Sequence, residues 1–214
     1  MESDARRVDS DREWWLRVPA VLLSPRSVFA ALRDESRESM DARSEPVLAL
    51  VLLAGVAAAL GTSTAATLYD DPEYDAVLVA VWAVFAGAFT AFAGYFVIGG
   101  ALYLGTRGLG SIGSFRRARQ LLGFAVAPLA LSLLTLWPVR IAVFGGDLFR
   151  SGGDDGGTAG RVFEALELGF ALWAAALLLV GVRTVHGWSW GRSLASLGLV
   201  AFFLAAFSYL PSLL

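Results

Sequence analysis

GLGSIGSFRRARQLLGFAVAPLALSLL, residues 108–134, sets a glycine-rich turn, three closely spaced arginines and a long apolar run with a central proline end to end. Guanidinium groups enter hydrocarbon only at high cost, so Arg116, Arg117 and Arg119 mark a membrane face. The run beyond them leads away from that face, and every other segment can be oriented from this elbow.

Composition agrees. Of 214 residues, 57% are apolar and only 17% charged, against about 45–50% and about 25% in soluble domains. The charges stand at the ends of long uncharged runs. Cysteine is absent, which excludes disulfides, thiol catalysis and cysteine-ligated metal. All 17 basic residues are arginine, a bias expected of a GC-rich, prokaryotic-type coding sequence. The first 25 residues alternate acids and arginines and then meet Pro19 and Pro25, a pattern unlike a secretory signal.

Hydropathy predicts an all-α, multi-pass membrane bundle of five transmembrane helices, preceded by short interfacial amphipathic helices. Residues 1–45 form the expected cytoplasmic segment and residues 46–214 the transmembrane domain. Its spans are expected at about 46–68, 76–105, 120–138 (broken at Pro128), 162–182 and 194–213. Residues 1–13 are highly charged and expected to be disordered. Trp14, Trp15, Val18, Val21 and Leu22 then recur at helical spacing beside Arg17, which suits a helix lying at headgroup level. Ser24-Pro25 reads as a helix start, with Val28, Phe29 and Leu32 on one face of the next turn. Residues 36–45 read as a charged linker.

Arginine-rich loops give the orientation. Counting arginines alone, fourteen fall on the side of the N-terminus and three on the other. The YDDPEYD loop (69–75) has none. The positive-inside rule therefore predicts a cell-membrane protein with a cytoplasmic N-terminus and, after five crossings, an outer C-terminus. Trp137 at the outer end of the third span and Trp188 and Trp190 at the inner interface fit aromatic belts, while Trp82 and Trp173 are expected in packing roles. Ala83, Gly87 and Ala91 make a small-residue ridge on the second span, matched by Ala54, Gly55 and Ala58 on the first. Such ridges let helices approach closely, so these two spans are expected to form a tight hairpin.

Few residues could carry chemistry. Glu164 and Glu167 share a helix face about one turn into the fourth span, and Arg140 is expected at the same depth. An ion pair from Arg140 to one of them is the simplest reading; a proton, ion or metal site is the sharper one. Two carboxylates without a nearby histidine make a weak metal signal, and no metal or cofactor is expected. His186, the only histidine, has no sequence neighbour placed to make it a base. Pro128 frees a backbone carbonyl if it lies mid-helix, which would make the elbow's interior half a place for a site. The glycine run 145–160 reads as a flexible outer loop. Phosphate-loop, serine-elbow and zinc-protease motifs are all missing, so no enzyme is expected.

Three stretches then support a comparison: LLSPRSVFAALRDE (22–35), GSFRRARQLLGFAVAPLAL (113–131) and VGVRTVHGWSWGRSLA (180–195). With the span pattern, they make the chain resemble the Yip domain family, small five-span membrane proteins with a cytoplasmic N-terminus. The resemblance implies membrane organisation or partnership with another membrane component. Eukaryotic relatives contact small Rab-type GTPases, but this chain lacks their long N-terminal region and aspartate-leucine-tyrosine-glycine-proline signature, so that property does not carry over.

The expected function is that of a non-enzymatic scaffold, lipid-organising or trafficking-like partner protein. Its partners would be membrane lipids, other membrane proteins or a second copy, and no nucleic acid. Arg116, Arg117, Arg119, His186 and Trp188 would form its cytoplasmic partner or headgroup face. The alternative is a small transporter or channel using Arg140, Glu164, Glu167 and the Pro128 break.

Overall fold

The computed structural model describes residues 2–209, which form helices joined by turns, with no strand among them. Nine α-helices run in order: α1 (Glu2–Leu23), α2 (Pro25–Ala31), α3 (Arg37–Ala42), α4 (Ser44–Leu60), α5 (Ala76–Gly108), α6 (Phe115–Ala125), α7 (Ala127–Phe144), α8 (Thr158–His186) and α9 (Trp190–Tyr209). Four segments are long and apolar enough to cross a membrane: Arg37–Leu60, Ala76–Gly108, Phe115–Phe149 and Thr158–His186. A shorter apolar helix, α9, follows. The chain is a helical membrane bundle. The last residues of the fifth expected span, 210–213, lie outside the described residues.

Helix α4 stops at Leu60, eight residues before the expected end of the first span. Gly61 follows it, and Ala65–Asp70 wind into a 3₁₀ turn. The third span also differs. The helix breaks at Val126, whose amide bonds the Leu122 carbonyl while its own carbonyl accepts from Leu129 and Ala130. Pro128 sits in the first turn of α7, where a missing N–H is an orphan anyway, so it frees no mid-helix carbonyl. Helix α7 then continues through Pro138 to Phe144. The helix of the fourth span, α8, begins at Thr158, placing Glu167 nine residues in, about 13 Å from its start.

Small residues set the helix contacts, as lipid-solvated helices require. A Cβ on Gly55 would strike the Gly87 carbonyl oxygen, and one on Gly87 would meet Val56 Cγ2 at 2.5 Å. The α4–α5 hairpin therefore closes through the expected ridge. Gly105 meets Ser196 of α9, Gly123 of α6 meets Val47 of α4, and Gly181 of α8 meets the Phe29 ring of α2. Helices α5, α4, α7, α8 and α9 contact one another in turn, and α9 and α5 close the ring. Helix α6 touches α4, α5 and α8, and its residues Gln120 to Ala125 are all buried. A helix buried all round is core. The elbow's second half is thus the hub of the arginine-rich end of the bundle.

The N-terminal segment folds onto this hub. Helix α1 extends back to Glu2, through the stretch expected to be disordered. Trp14 is 3% exposed, with its ring centroid 5.6 Å from that of Phe124, and Val21 is fully buried. Val28, Phe29 and Leu32 are buried as their spacing requires, with α2 lying on α8. The amphipathic faces of α1 and α2 thus bury against the protein, while Trp15, Leu16 and Leu23 remain exposed. Helix α3 (Arg37–Ala42) occupies the expected linker, capped by Ser36 accepting from the Ser39 amide.

At the opposite end, a second cluster gathers Leu68, Val79, Leu148 and Phe149. The glycine run is packed there in place of swinging free. Ser151 donates through its amide (2.9 Å) and hydroxyl (2.5 Å) to Asp70, and a Cβ on Gly153 would strike the Asp147 carbonyl. Trp137 is 3% exposed, so it packs inside and does not join an aromatic belt; Trp173, expected in packing, is 37% exposed.

Candidate functional site

Two polar assemblies stand out, one at each end of the bundle. The one at the arginine-rich end begins at the elbow. Gly110, with φ of 86°, turns the chain after α5, and Ser114 caps α6 by accepting from the Arg117 amide at 3.2 Å. Ser114 also donates to Glu35 through its hydroxyl (2.6 Å) and amide (3.2 Å), and Arg117 lies 3.5 Å from the same carboxylate. Burial alone would raise the Glu35 pKa, but the two Ser114 bonds and the Arg117 charge outweigh it and hold the carboxyl below its ordinary value. Arg116 reaches Asp41 at 2.6 Å, Ser44 Oγ at 3.0 Å and the Met40 carbonyl at 3.1 Å. Two of the three elbow arginines therefore tie the N-terminal segment to α6.

Beneath them lies Arg43, 0% exposed, whose Nε donates to Gln120 Oε1 at 2.5 Å. Gln120 in turn donates to the Met40 carbonyl at 2.8 Å. Nη1 and Nη2 of Arg43 have no hydrogen-bond partner among the described residues, and its guanidinium lies 5.4 Å from the Trp14 ring centroid. Arg43 and Gln120 escaped sequence reasoning. The available signal was Gln120 itself, an amide at the head of a wholly apolar run.

His186 closes the same end. Its Nδ1 lies 2.9 Å from the Val182 carbonyl, an acceptor only, so Nδ1 carries a proton. Nε2 then accepts from Ser111 Oγ at 2.9 Å in the neutral ring. The histidine's partner is a serine 75 positions away, in the elbow's turn. Gly187, at φ 66°, ends α8, and Trp188 stacks beside His186 with centroids 4.5 Å apart. Arg192 covers Trp188 and donates to the Leu109 carbonyl through Nε at 3.1 Å; Arg33 donates to the Thr184 carbonyl.

The assembly at the opposite end centres on Arg140, 8% exposed. Its Nη1 donates to Glu167 at 2.8 Å, and Nη2 lies 3.6 Å from Asp155. Glu164, on the neighbouring turn, is exposed and outside this contact. Pro128 is buried and not part of it. Asp155 was missed because it belongs to the glycine run, which has no periodicity to place it. Beside this pair, a cavity of about 230 Å³ lies between α4, α7 and α8, lined by Ala57, Leu129, Ser132, Trp137 and Glu167 among others. No group of three or more acids, histidines or cysteines that could hold a metal occurs among the described residues.

The model of the Yip1 domain matches residues 20–210, nearly the whole chain. The chain belongs to the Yip1 domain family. Comparison with curated proteins and with solved structures returns no match. The Yip1 match spans α2 to α9 and so takes in both assemblies, and this Yip1 protein is a multi-pass membrane protein.

Proposed function

We propose that this Yip1 protein is a non-enzymatic membrane scaffold, working at the inner face of the cell membrane on lipids and neighbouring membrane proteins. One observation carries the reading. The cytoplasmic end is a single interlocked body, in which Glu35, Asp41, Arg116 and Arg117 spend their charges on one another. Around that body, Leu23 (85% exposed) and Ile112 (98% exposed) project outward. A rigid body with exposed apolar tips and surrounding arginines suits engagement of headgroups and partner surfaces. The Arg140 pair supports this reading over transport, since the carboxylate a cation would use is already held by a guanidinium.

The test uses the full chain. Wild-type protein is expected to copurify a reproducible set of membrane partners from its own membranes, and the double variant Leu23→Asp/Ile112→Asp, still helical and monodisperse, to lose them. Reconstituted vesicles should show no ion or solute flux above empty vesicles. Flux that disappears in Glu167→Gln would overturn the scaffold reading in favour of a transporter.

A further inference from the structure

The third elbow arginine differs from its neighbours. Arg119 has no carboxylate partner among the described residues. Its guanidinium carbon sits 5.1, 4.5 and 4.6 Å from the ring centroids of Tyr95, Phe96 and Phe115. Aromatic faces hold a cation in place but offer no lone pairs, and Nε is buried with no acceptor. The side chain is positioned while its hydrogen-bonding capacity stays open.

Next to this aromatic box an apolar slot of about 130 Å³ lies between α4, α5 and α6. Its walls include Val51 and Ala58 of α4, Gly94 and Tyr95 of α5, and Leu122 and Val126 of α6. Arg119, Leu122 and Val126 are spaced three and four apart, so they share one face of α6. Tyr95 belongs to both the slot and the aromatic box, so the two adjoin there and Arg119 lies beside the slot's lining. The seven residue steps from Val51 to Ala58 give the slot a length of about 10 Å. Its floor is the tight Gly55–Gly87 contact, and its rim, with Ala58 exposed and Gly94 and Ile98 half-buried, is open. A helix about 10 Å across does not fit; a hydrocarbon chain does.

We propose that this slot binds one anionic phospholipid, with an acyl chain between α4, α5 and α6 and its phosphate on Arg119. Arg116 and Arg117, already neutralised by Asp41 and Glu35, do not compete for the headgroup. Arginine's fork of donors suits phosphate oxygens. This deepens the scaffold reading, since a protein that organises a membrane needs a grip on one class of lipid.

The test is lipid retention by the purified full chain, read by native mass spectrometry. Phosphatidylglycerol and phosphatidylcholine with identical chains serve as probes. The wild type should retain phosphatidylglycerol in preference. Arg119→Gln should lower that retention about fivefold, the equivalent of one arginine's attraction to an anionic lipid, and Arg119→Lys should largely preserve it. Gly94→Leu fills the slot, because a Cβ there meets only Ile98 Cδ1 at 3.9 Å; it should abolish retention while keeping helicity. Equal retention of the two lipids by the wild type, or retention untouched by both Arg119→Gln and Gly94→Leu, overturns the proposal. Because the measurement uses purified protein, it can fail while partner capture from membranes succeeds, and the reverse.

Discussion

Arg140 is held between Glu167 on α8 and Asp155 in the packed glycine run, so one guanidinium ties α7 to two other segments. Removing it leaves two partly buried carboxylates without their cation. Their side chains keep 28% and 23% exposure, so water offsets part of the loss. Arg140→Ala is expected to cost about 1–3 kcal/mol, read as a lower melting temperature of the detergent-solubilised protein. Glu164→Ala, on an exposed carboxylate, should melt like the wild type. Equal melting of Arg140→Ala and wild type would show that the pair contributes nothing. That Arg140 meets an acid of the fourth span was legible, because both lie near the same end of neighbouring spans. The choice of Glu167 over Glu164 was not, since residues three apart share a face and only the rotation of α8 against α7 separates them.

Helix contacts depend on where a side chain is absent. Gly87 has no room for a Cβ against Val56, so Gly87→Val must separate α4 from α5. A loss of about 2–3 kcal/mol is expected, visible as aggregation or early melting on size-exclusion chromatography after heating. Gly169 of α8 has nothing within 4 Å of its would-be Cβ. Gly169→Ala should therefore gain about 0.5–1 kcal/mol through helix propensity. The α4–α5 seam was readable because small residues recur at helical spacing on both strands of the hairpin. The role of α6 was not. Its sequence shows arginines followed by an apolar run, which suits a membrane crossing, and only the packing of α4, α5 and α8 around it makes it the hub.

For the whole molecule, orientation is the property that most needs a direct measurement, and the absence of cysteine makes it accessible. Single cysteines at Ser63 and Thr158, both exposed at the acidic end, should react with a membrane-impermeant maleimide on intact cells. Those at Ser24 and Ser189 should react only after permeabilisation. The reverse pattern would invert the arginine-based topology and place the Arg119 slot at the outer leaflet.

Composition, hydropathy and three local motifs were sufficient by themselves for the all-helical membrane class, the family and the tight α4–α5 seam. Each of these depends on residues near one another in the chain or on a simple period. Only the tertiary structure decided where the charges go. Arg116 meets Asp41 and Ser111 meets His186, each across 75 positions, and Arg43 meets Gln120 across 77. Such pairs depend on how helices rotate and abut, and no local pattern encodes that. The arginines of the 108–134 stretch looked equivalent for this reason. Packing makes two of them internal ties and leaves the third, boxed by aromatic rings, with its donors free.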